Sequence, residues 1–215
     1  MGNINYLLFI CVAVPILLML FVLEKKSKIT VGYMLIGIIS CLFISEINGF
    51  LLHFNDYDIY YVTTTITPIT EEIIKALPVL YFAFLFSDKR ETLISLSIAT
   101  GIGFAILENA LYLLERPAFS MLSAVIRAFG TGLMHGMCTL LIGVGISFVK
   151  NRRKLFAVGT FGLLSTAIVY HGIYNILIQS EYSIVGALLP IATYIPFFVW
   201  RVRIKLKQAG TAKSR

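Results

Sequence analysis

The chain has 215 residues, of which 58% are hydrophobic and 13% are charged. A soluble domain carries about 25% charged residues, so the composition argues against a soluble protein and predicts a single integral membrane domain over residues 1–215. The formal net charge is +7, but the basic residues stand in short clusters between apolar runs, which excludes a nucleic-acid-binding stripe. We therefore expect the lipid bilayer, and no nucleic acid, as a partner.

Seven apolar runs, each long enough to cross a bilayer as a helix, follow one another along the chain. They predict an all-α fold, a polytopic transmembrane helical bundle of about seven spans, at residues 4–23, 30–52, 62–86, 92–114, 119–149, 155–178 and 183–200. The fifth run is too long for one perpendicular span, so we expect a tilted or interfacial piece containing Arg127 at its start. Residues 201–215 form a basic tail.

The basic residues are distributed unequally between the two sides of the predicted spans. Fifteen of the 18 basic residues lie in four alternate connections, at 25–28, 89–90, 150–154 and 201–215, whereas the opposite connections hold only Arg116. By the positive-inside rule, this asymmetry predicts that the N-terminus is outside and that the C-terminal tail is cytoplasmic. An odd number of spans satisfies the alternation, and an even number breaks it.

Two glutamates and a lysine interrupt the third apolar run. Glu71, Glu72 and Lys75 lie within five residues of one another, and each such charge near the bilayer centre costs about 2.5–3.5 kcal/mol. Thr67 and Pro68 resemble an N-cap and a first helical residue, which places the glutamates about one turn inside the outer face. Lys75 lies angularly between the two glutamates and one turn deeper, where it can pair with a carboxylate.

Three further spans carry polar side chains at a similar depth. Counting inward at about 1.5 Å per residue puts Glu108 of the fourth span, His135 of the fifth and His171 of the sixth in the outer third of the bilayer. Asn175 lies four residues after His171, so the amide and the imidazole face the same way. Ionisable groups within membranes normally face the bundle interior and pair with one another. We therefore expect a single polar site that is open to external water.

These residue types suit hydrolysis of a peptide bond. A partly dehydrated carboxylate can act as a general base toward water, a histidine can orient that water or protonate the leaving amine, and an asparagine amide can hydrogen-bond an oxyanion. A glutamate and two histidines are also a zinc ligand set with an open fourth position, which leaves another glutamate as the base. The residues leave both mechanisms open. If a metal ion such as zinc is bound, we expect Glu108, His135 and His171 as its ligands, and we expect no other cofactor.

Four motifs occur in order along the middle of the chain. They are EExxK at 71–75, FxxxEN at 104–109, a histidine in the next span at 135, and HxxxN at 171–175. This ordered set resembles the PrsW family of intramembrane proteases, which belongs to the superfamily of CAAX-processing (ABI-type) proteases and the gamma-secretase scaffold subunit. The resemblance covers about residues 65–180, which would be the protease core.

The resemblance implies an activity, a substrate class and a location. The activity is site-one cleavage of a membrane-spanning anti-sigma factor near the external face of a bacterial plasma membrane, in an envelope-stress response. Carried over by position, Glu71 or Glu72 would activate water. Glu108 and His135 would complete the catalytic cluster, and His171 with Asn175 would stabilise the oxyanion. The implied catalytic residues are Glu71, Glu72, Glu108, His135, His171 and Asn175, with Lys75 and Asn109 in support.

Two other classes of function are compatible with the same residues. Buried carboxylates and histidines also form relays in proton- or cation-coupled transporters, although the halves of the chain show no repeat pairing and no pair of broken helices. A non-catalytic scaffold that binds transmembrane helices, like the gamma-secretase relative, is the second alternative.

Overall fold

The structure, a computed structural model, describes residues 2–55, 58–87, 89–115, 121–148 and 153–213. Its elements in chain order are α1 (Gly2–Val22), α2 (Lys25–Asn55), α3 (Ile59–Tyr61), a π-helical segment that we call the π-turn (Val62–Ile66), α4 (Thr67–Leu85), α5 (Arg90–Glu115), α6 (Met121–Ile146), α7 (Arg153–Ile178) and α8 (Ser183–Lys213). No strand occurs in the described ranges, which confirms the all-α prediction.

Within the described residues, six of the seven predicted apolar runs fall on one long helix each, and the third falls on the π-turn and α4. Four of these helices contain segments long and apolar enough to cross a membrane, at Ser27–His53, Arg90–Leu114, Ala124–Ile146 and Ala157–Ile178. The apolar segments of α1 and α8 are shorter, and α4 carries three charged side chains among its 19 residues. Seven spans and their orientation stay a prediction. Of the basic residues used for the orientation, Arg116, Lys150, Arg152 and Arg215 lie outside the described residues.

Two helices bear on the ends of the predicted spans. Residues 121–146, which include Arg127, form one continuous helix, and its tilted or interfacial start stays a prediction. The last helix does not end near residue 200 but continues to Lys213. The sequence after Trp200 is rich in Arg and Lys, which have high helix propensity and allow the helix to continue.

The start of α4 also differs from the prediction. Thr67 is not an N-cap, because the helical backbone enters α4 directly from the π-turn. The helical path begins at Ile59, where the carboxylate of Asp58 accepts a hydrogen bond from the Tyr60 N–H at 3.2 Å. The Thr67 hydroxyl instead accepts a hydrogen bond from the Asn48 side chain of α2 at 3.1 Å. The prediction was wrong because Pro68 lies within a longer helical path, where its missing N–H is tolerated at the π-turn.

The helices α5 and α6 form the centre of the bundle. α5 packs most extensively against α6 and α2, and α6 also packs against α7 and α8. Glycine permits the close approach: a Cβ at Gly101 would lie 2.6 Å from the His135 carbonyl oxygen, and one at Gly103 would meet the Met34 carbonyl. Buried apolar side chains fill the space around these contacts and include Val79, Leu93, Leu96, Met134, Ile142 and Tyr174. This packing fixes the faces that α4, α6 and α7 turn inward.

Candidate active site and metal centre

Five charged or titratable side chains from three helices meet in the interior of the bundle. We call them the buried cluster: Glu71, Glu72 and Lys75 of α4, His135 of α6 and His171 of α7. Each of these residues is at most 4% exposed. Burying a charge is costly unless it is paired and hydrogen-bonded, so the contacts within the cluster determine whether the fold tolerates it.

Lys75 makes contact with both glutamates of its own helix. Its Nζ lies 2.7 Å from Glu72 Oε1, three residues back, and 3.5 Å from Glu71 Oε2, four residues back. The same ammonium lies 2.8 Å from His135 Nδ1 and 4.4 Å from the ring centre of Phe104. The predicted position of Lys75 between the two glutamates is therefore confirmed.

The two histidines contact different members of the cluster. His171 Nδ1 lies 2.8 Å from Glu72 Oε1, and its Nε2 lies 3.9 Å from Glu71 Oε2. The rings of His135 and His171 are 5.0 Å apart and mutually perpendicular. Because an ammonium only donates hydrogen bonds, His135 Nδ1 is an acceptor toward Lys75. The proton of His135 is then on Nε2, which donates to Glu108 Oε2 at 2.7 Å.

Glu108 lies at the edge of the cluster, where its side chain is 29% exposed. Its other oxygen, Oε1, lies 3.4 Å from Arg127 Nη2 of α6, and the guanidinium carbon of Arg127 lies 3.5 Å from the ring centre of Tyr112. We call Glu108 and Arg127 the peripheral pair. Sequence reasoning missed this role of Arg127. The available signal is the four-residue spacing of Phe104, Glu108 and Tyr112, which puts all three on one face of α5.

The two predicted asparagines have no hydrogen bond to the buried cluster. Asn175 Nδ2 donates instead to the Thr63 carbonyl oxygen in the π-turn, at 2.8 Å. Asn109 Oδ1 is buried and has no hydrogen-bond partner among the described residues. The structure therefore brings four of the six predicted catalytic residues together in the cluster, connects Glu108 to it, and directs Asn175 elsewhere. Their catalytic roles stay predictions.

The donor atoms of the cluster suit a divalent cation such as zinc. Glu71, Glu72, His135 and His171 each offer one ligand atom, and these atoms all lie within 4.8 Å of one another. Two of the carboxylate oxygens, Glu71 Oε2 and Glu72 Oε2, are buried without a hydrogen-bond partner in the described part of the chain. Buried polar atoms of this kind call for a water or an ion. The donor set therefore fits a metal ion.

This donor set differs from the one expected from the sequence. Both glutamates of α4 belong to it, whereas Glu108 binds the far nitrogen of His135. A carboxylate in that position orients a metal-binding imidazole and fixes its tautomer. Lys75 also bears on metal binding, because its ammonium contacts Glu72 Oε1 and His135 Nδ1, both potential ligand atoms. A bound metal ion would compete with the ammonium for these two atoms.

Comparison with known proteins assigns the chain to a family. A comparison with curated proteins and one with solved structures find no match to the chain. Residues 25–201 match the family described as PrsW family intramembrane metalloprotease. That range covers most of the chain and contains the whole buried cluster and the peripheral pair. The chain therefore belongs to the PrsW family of intramembrane metalloproteases.

Proposed function

We propose that the protein is an endopeptidase that hydrolyses a peptide bond of a single-span membrane protein near the outer face of a bacterial plasma membrane. Its substrate in this proposal is an anti-sigma factor, cleaved first in a stress response. The family supports an intramembrane peptidase, and the four apolar helices support a membrane location. The observation that carries the proposal is the buried donor set of two glutamates and two histidines. Membership of the wider CAAX-processing superfamily belongs to the same proposal.

The two glutamates of α4 have different surroundings, from which we assign different roles. Glu72 Oε1 accepts hydrogen bonds from both Lys75 and His171, and its side chain is fully enclosed. Glu71 makes looser contacts, its side chain is 5% exposed, and its Oε2 has no hydrogen-bond partner in the described residues. Glu72 Oε2 is equally without a partner, but a general base must be reached by water, and of the two side chains only that of Glu71 is partly exposed. Glu71 is therefore the base, and Glu72 anchors Lys75 and His171.

The remaining residues of the cluster would hold and orient the reacting groups. His135 and His171, together with a carboxylate of α4, would hold a divalent ion, and Glu108 would orient His135 through Nε2. When bound, such an ion supplies Lewis acidity and makes water nucleophilic at neutral pH. Glu71 takes the proton from the attacking water and is also the group that can return it to the leaving amine.

Cleavage by the reconstituted protein tests the proposal. The wild type and the variants Glu71→Gln, Glu72→Gln and His171→Ala are placed in proteoliposomes with a single-span anti-sigma factor. The control is Glu46→Gln, which removes an exposed carboxylate of α2 that accepts a hydrogen bond from Tyr6. We expect cleavage by the wild type and the control and none by the three cluster variants. If all the variants fold and cleave like the wild type, the proposal is wrong.

Further measurements separate the parts of the proposal. A strong chelator should abolish cleavage and added Zn²⁺ should restore it, whereas full activity in chelator would indicate a metal-free mechanism. Mass spectrometry of the products locates the cleaved bond, and cleavage near the basic, cytoplasmic ends of the helices would contradict the assigned side. Cleavage of other single-span proteins but not of anti-sigma factors would overturn the substrate class alone. Ion uptake that collapses with the proton gradient would favour a transporter, and substrate binding without cleavage would favour a scaffold.

A further inference from the structure

The π-turn leaves one backbone carbonyl without a main-chain donor. The Thr67 N–H bonds the Val62 carbonyl oxygen, five residues back, instead of the Thr63 carbonyl that an α-helix would use. In a continued π-helical pattern, the donor to Thr63 would be residue 68. That residue is Pro68, which has no N–H. The Thr63 carbonyl oxygen has therefore lost both its α-helical and its π-helical donor.

Asn175 of α7 supplies the missing donor. Its Nδ2 lies 2.8 Å from the Thr63 carbonyl oxygen. Asn175 follows His171 by four residues and so lies one helical turn further along the same face of α7. One face of α7 thus binds the buried cluster through its histidine and the π-turn through its asparagine.

Additional contacts hold α7 against the π-turn. The Thr63 hydroxyl donates to Gln179 Oε1 at 3.1 Å, and Gln179 Nε2 donates back to the Asn175 carbonyl oxygen at 3.2 Å. The helices are close here, since a Cβ at Gly172 would lie 3.2 Å from the Thr64 carbonyl oxygen. A glycine at 172 therefore allows the approach that brings the Asn175 amide within reach.

We propose that Asn175 is a positioning residue that fixes the π-turn against α7 and so sets the rotation with which α4 presents Glu71 and Glu72 to His171. A π-turn holds one residue more than the α-helical turn it replaces, and each residue corresponds to a rotation of roughly 100° about the helix axis. Loss of the π-turn would therefore change the direction in which the two glutamates point. This inference rests on the proposed function for its catalytic meaning, and it replaces the oxyanion-stabilising role that the family resemblance implied for Asn175.

Metal binding distinguishes a positioning role from an oxyanion role. Co²⁺ is titrated into the purified, metal-free protein, and its affinity and visible absorption spectrum are compared between the wild type and Asn175→Ala. We expect Asn175→Ala to weaken Co²⁺ binding roughly 10- to 100-fold, as is typical for residues that orient metal ligands, and to change the spectrum. The control is Thr166→Ala, whose hydroxyl bonds a carbonyl within α7 itself. Unchanged Co²⁺ affinity together with a lower kcat would overturn the positioning role.

A second experiment requires neither a metal ion nor activity. The substitution Pro68→Ala provides an N–H at position 68, so the main chain can satisfy the carbonyl that Asn175 otherwise serves. Asn175→Ala should therefore lower the melting temperature less in the Pro68→Ala background than in the wild type. Equal decreases in the two backgrounds would overturn the proposal.

The proposal can still be tested with substitutions at positions 68 and 175 if Asn175→Ala does not fold. Asn175→Leu, which keeps most of the side-chain volume without a donor, replaces Asn175→Ala in that case. If neither single variant folds, recovery of folded protein on adding Pro68→Ala supports the proposal, and failure to recover contradicts it. Coupling between positions 68 and 175 in a protein that cleaves no substrate would refute the proposed function and leave the positioning contact standing.

Discussion

The buried cluster and the peripheral pair each contain a carboxylate in contact with a cation, but the side chains of the two regions differ in solvent exposure. The side chains of Lys75 and Glu72 are fully enclosed and 2.7 Å apart, whereas those of Arg127 and Glu108 are 13% and 29% exposed and 3.4 Å apart. Removing one partner of a buried pair costs about 3–5 kcal/mol, whereas an exposed pair contributes about 0–1 kcal/mol. The members of the cluster therefore depend on one another, while the peripheral pair can be changed with little loss.

His135 is the connection between the two regions. Its Nδ1 contacts Lys75 of the cluster, and its Nε2 contacts Glu108 of the peripheral pair. A change at Arg127 reaches the cluster through Glu108 and then through the imidazole. We therefore expect substitutions to disturb the protein less in the order Glu71, Lys75, Glu108, Arg127. The quantity affected is kcat for Glu71, unfolding free energy for Lys75, Co²⁺ affinity for Glu108, and both stability and cleavage for Arg127.

The largest effect is expected from Glu71→Gln on catalysis. Removal of a general base lowers kcat by about 10²- to 10⁴-fold, and glutamine keeps the volume of the side chain. Because Lys75 keeps its closer contact with Glu72 at 2.7 Å, the melting temperature should decrease less in Glu71→Gln than in Lys75→Met. Single-turnover cleavage and thermal unfolding measure the two quantities. A decrease in kcat of less than tenfold would move the base to another residue.

The next effect is a loss of stability in Lys75→Met. Without the ammonium, two buried carboxylates lose their cation, so the metal-free protein should lose about 3–5 kcal/mol of unfolding free energy. Equilibrium unfolding in detergent measures the loss. The control is Lys89→Met, which removes an exposed lysine and should leave the unfolding free energy within experimental error of the wild type.

The same variant also tests the competition between Lys75 and a metal ion. Since the ammonium occupies Glu72 Oε1 and His135 Nδ1, its removal should increase Co²⁺ affinity, and bound Co²⁺ should recover part of the lost stability. Weaker Co²⁺ binding by Lys75→Met would show instead that Lys75 only orients the ligands.

The long helices and several contacts of the buried cluster are predictable from the sequence, because helix geometry fixes them. The apolar runs predict the long helices, and the four-residue spacing of Glu71 and Lys75 predicts their contact. The expectation that two glutamates and two histidines from different helices lie together depended only on their similar depths, and the structure shows that they do.

The rest depends on tertiary packing that the sequence does not encode locally. The π-turn requires a donor from α7, so no pattern within residues 62–68 distinguishes it from a helix start. Arg127 has a long, flexible side chain that reaches either the membrane interface or Glu108, and only the placement of α5 beside α6 selects the second. The contact of Lys75 with His135 likewise follows from the rotation of α6.

A smaller effect is expected at Glu108, the residue that touches both regions. Glu108→Ala removes the acceptor that holds the tautomer and ring orientation of His135, so Co²⁺ affinity should decrease about 10- to 100-fold. Glu108→Gln retains an acceptor oxygen and should recover most of the affinity. If Glu108→Gln is as impaired as Glu108→Ala, the charge of Glu108, and not its orientation of His135, is what the site requires.

The smallest effect is expected from Arg127→Gln. Its loss removes a partly exposed ion pair and a stacking contact with Tyr112, together worth about 1 kcal/mol of unfolding free energy. Glu108 keeps its hydrogen bond to His135 and turns its other oxygen to water, so cleavage should change by less than tenfold. Arg127→Lys separates charge from stacking. In a double-mutant cycle with Glu108→Gln, a coupling below about 1 kcal/mol is expected. A coupling as large as that between Lys75 and Glu72 would mean that the bilayer or the substrate desolvates this pair, and the distinction between the two regions would then be lost.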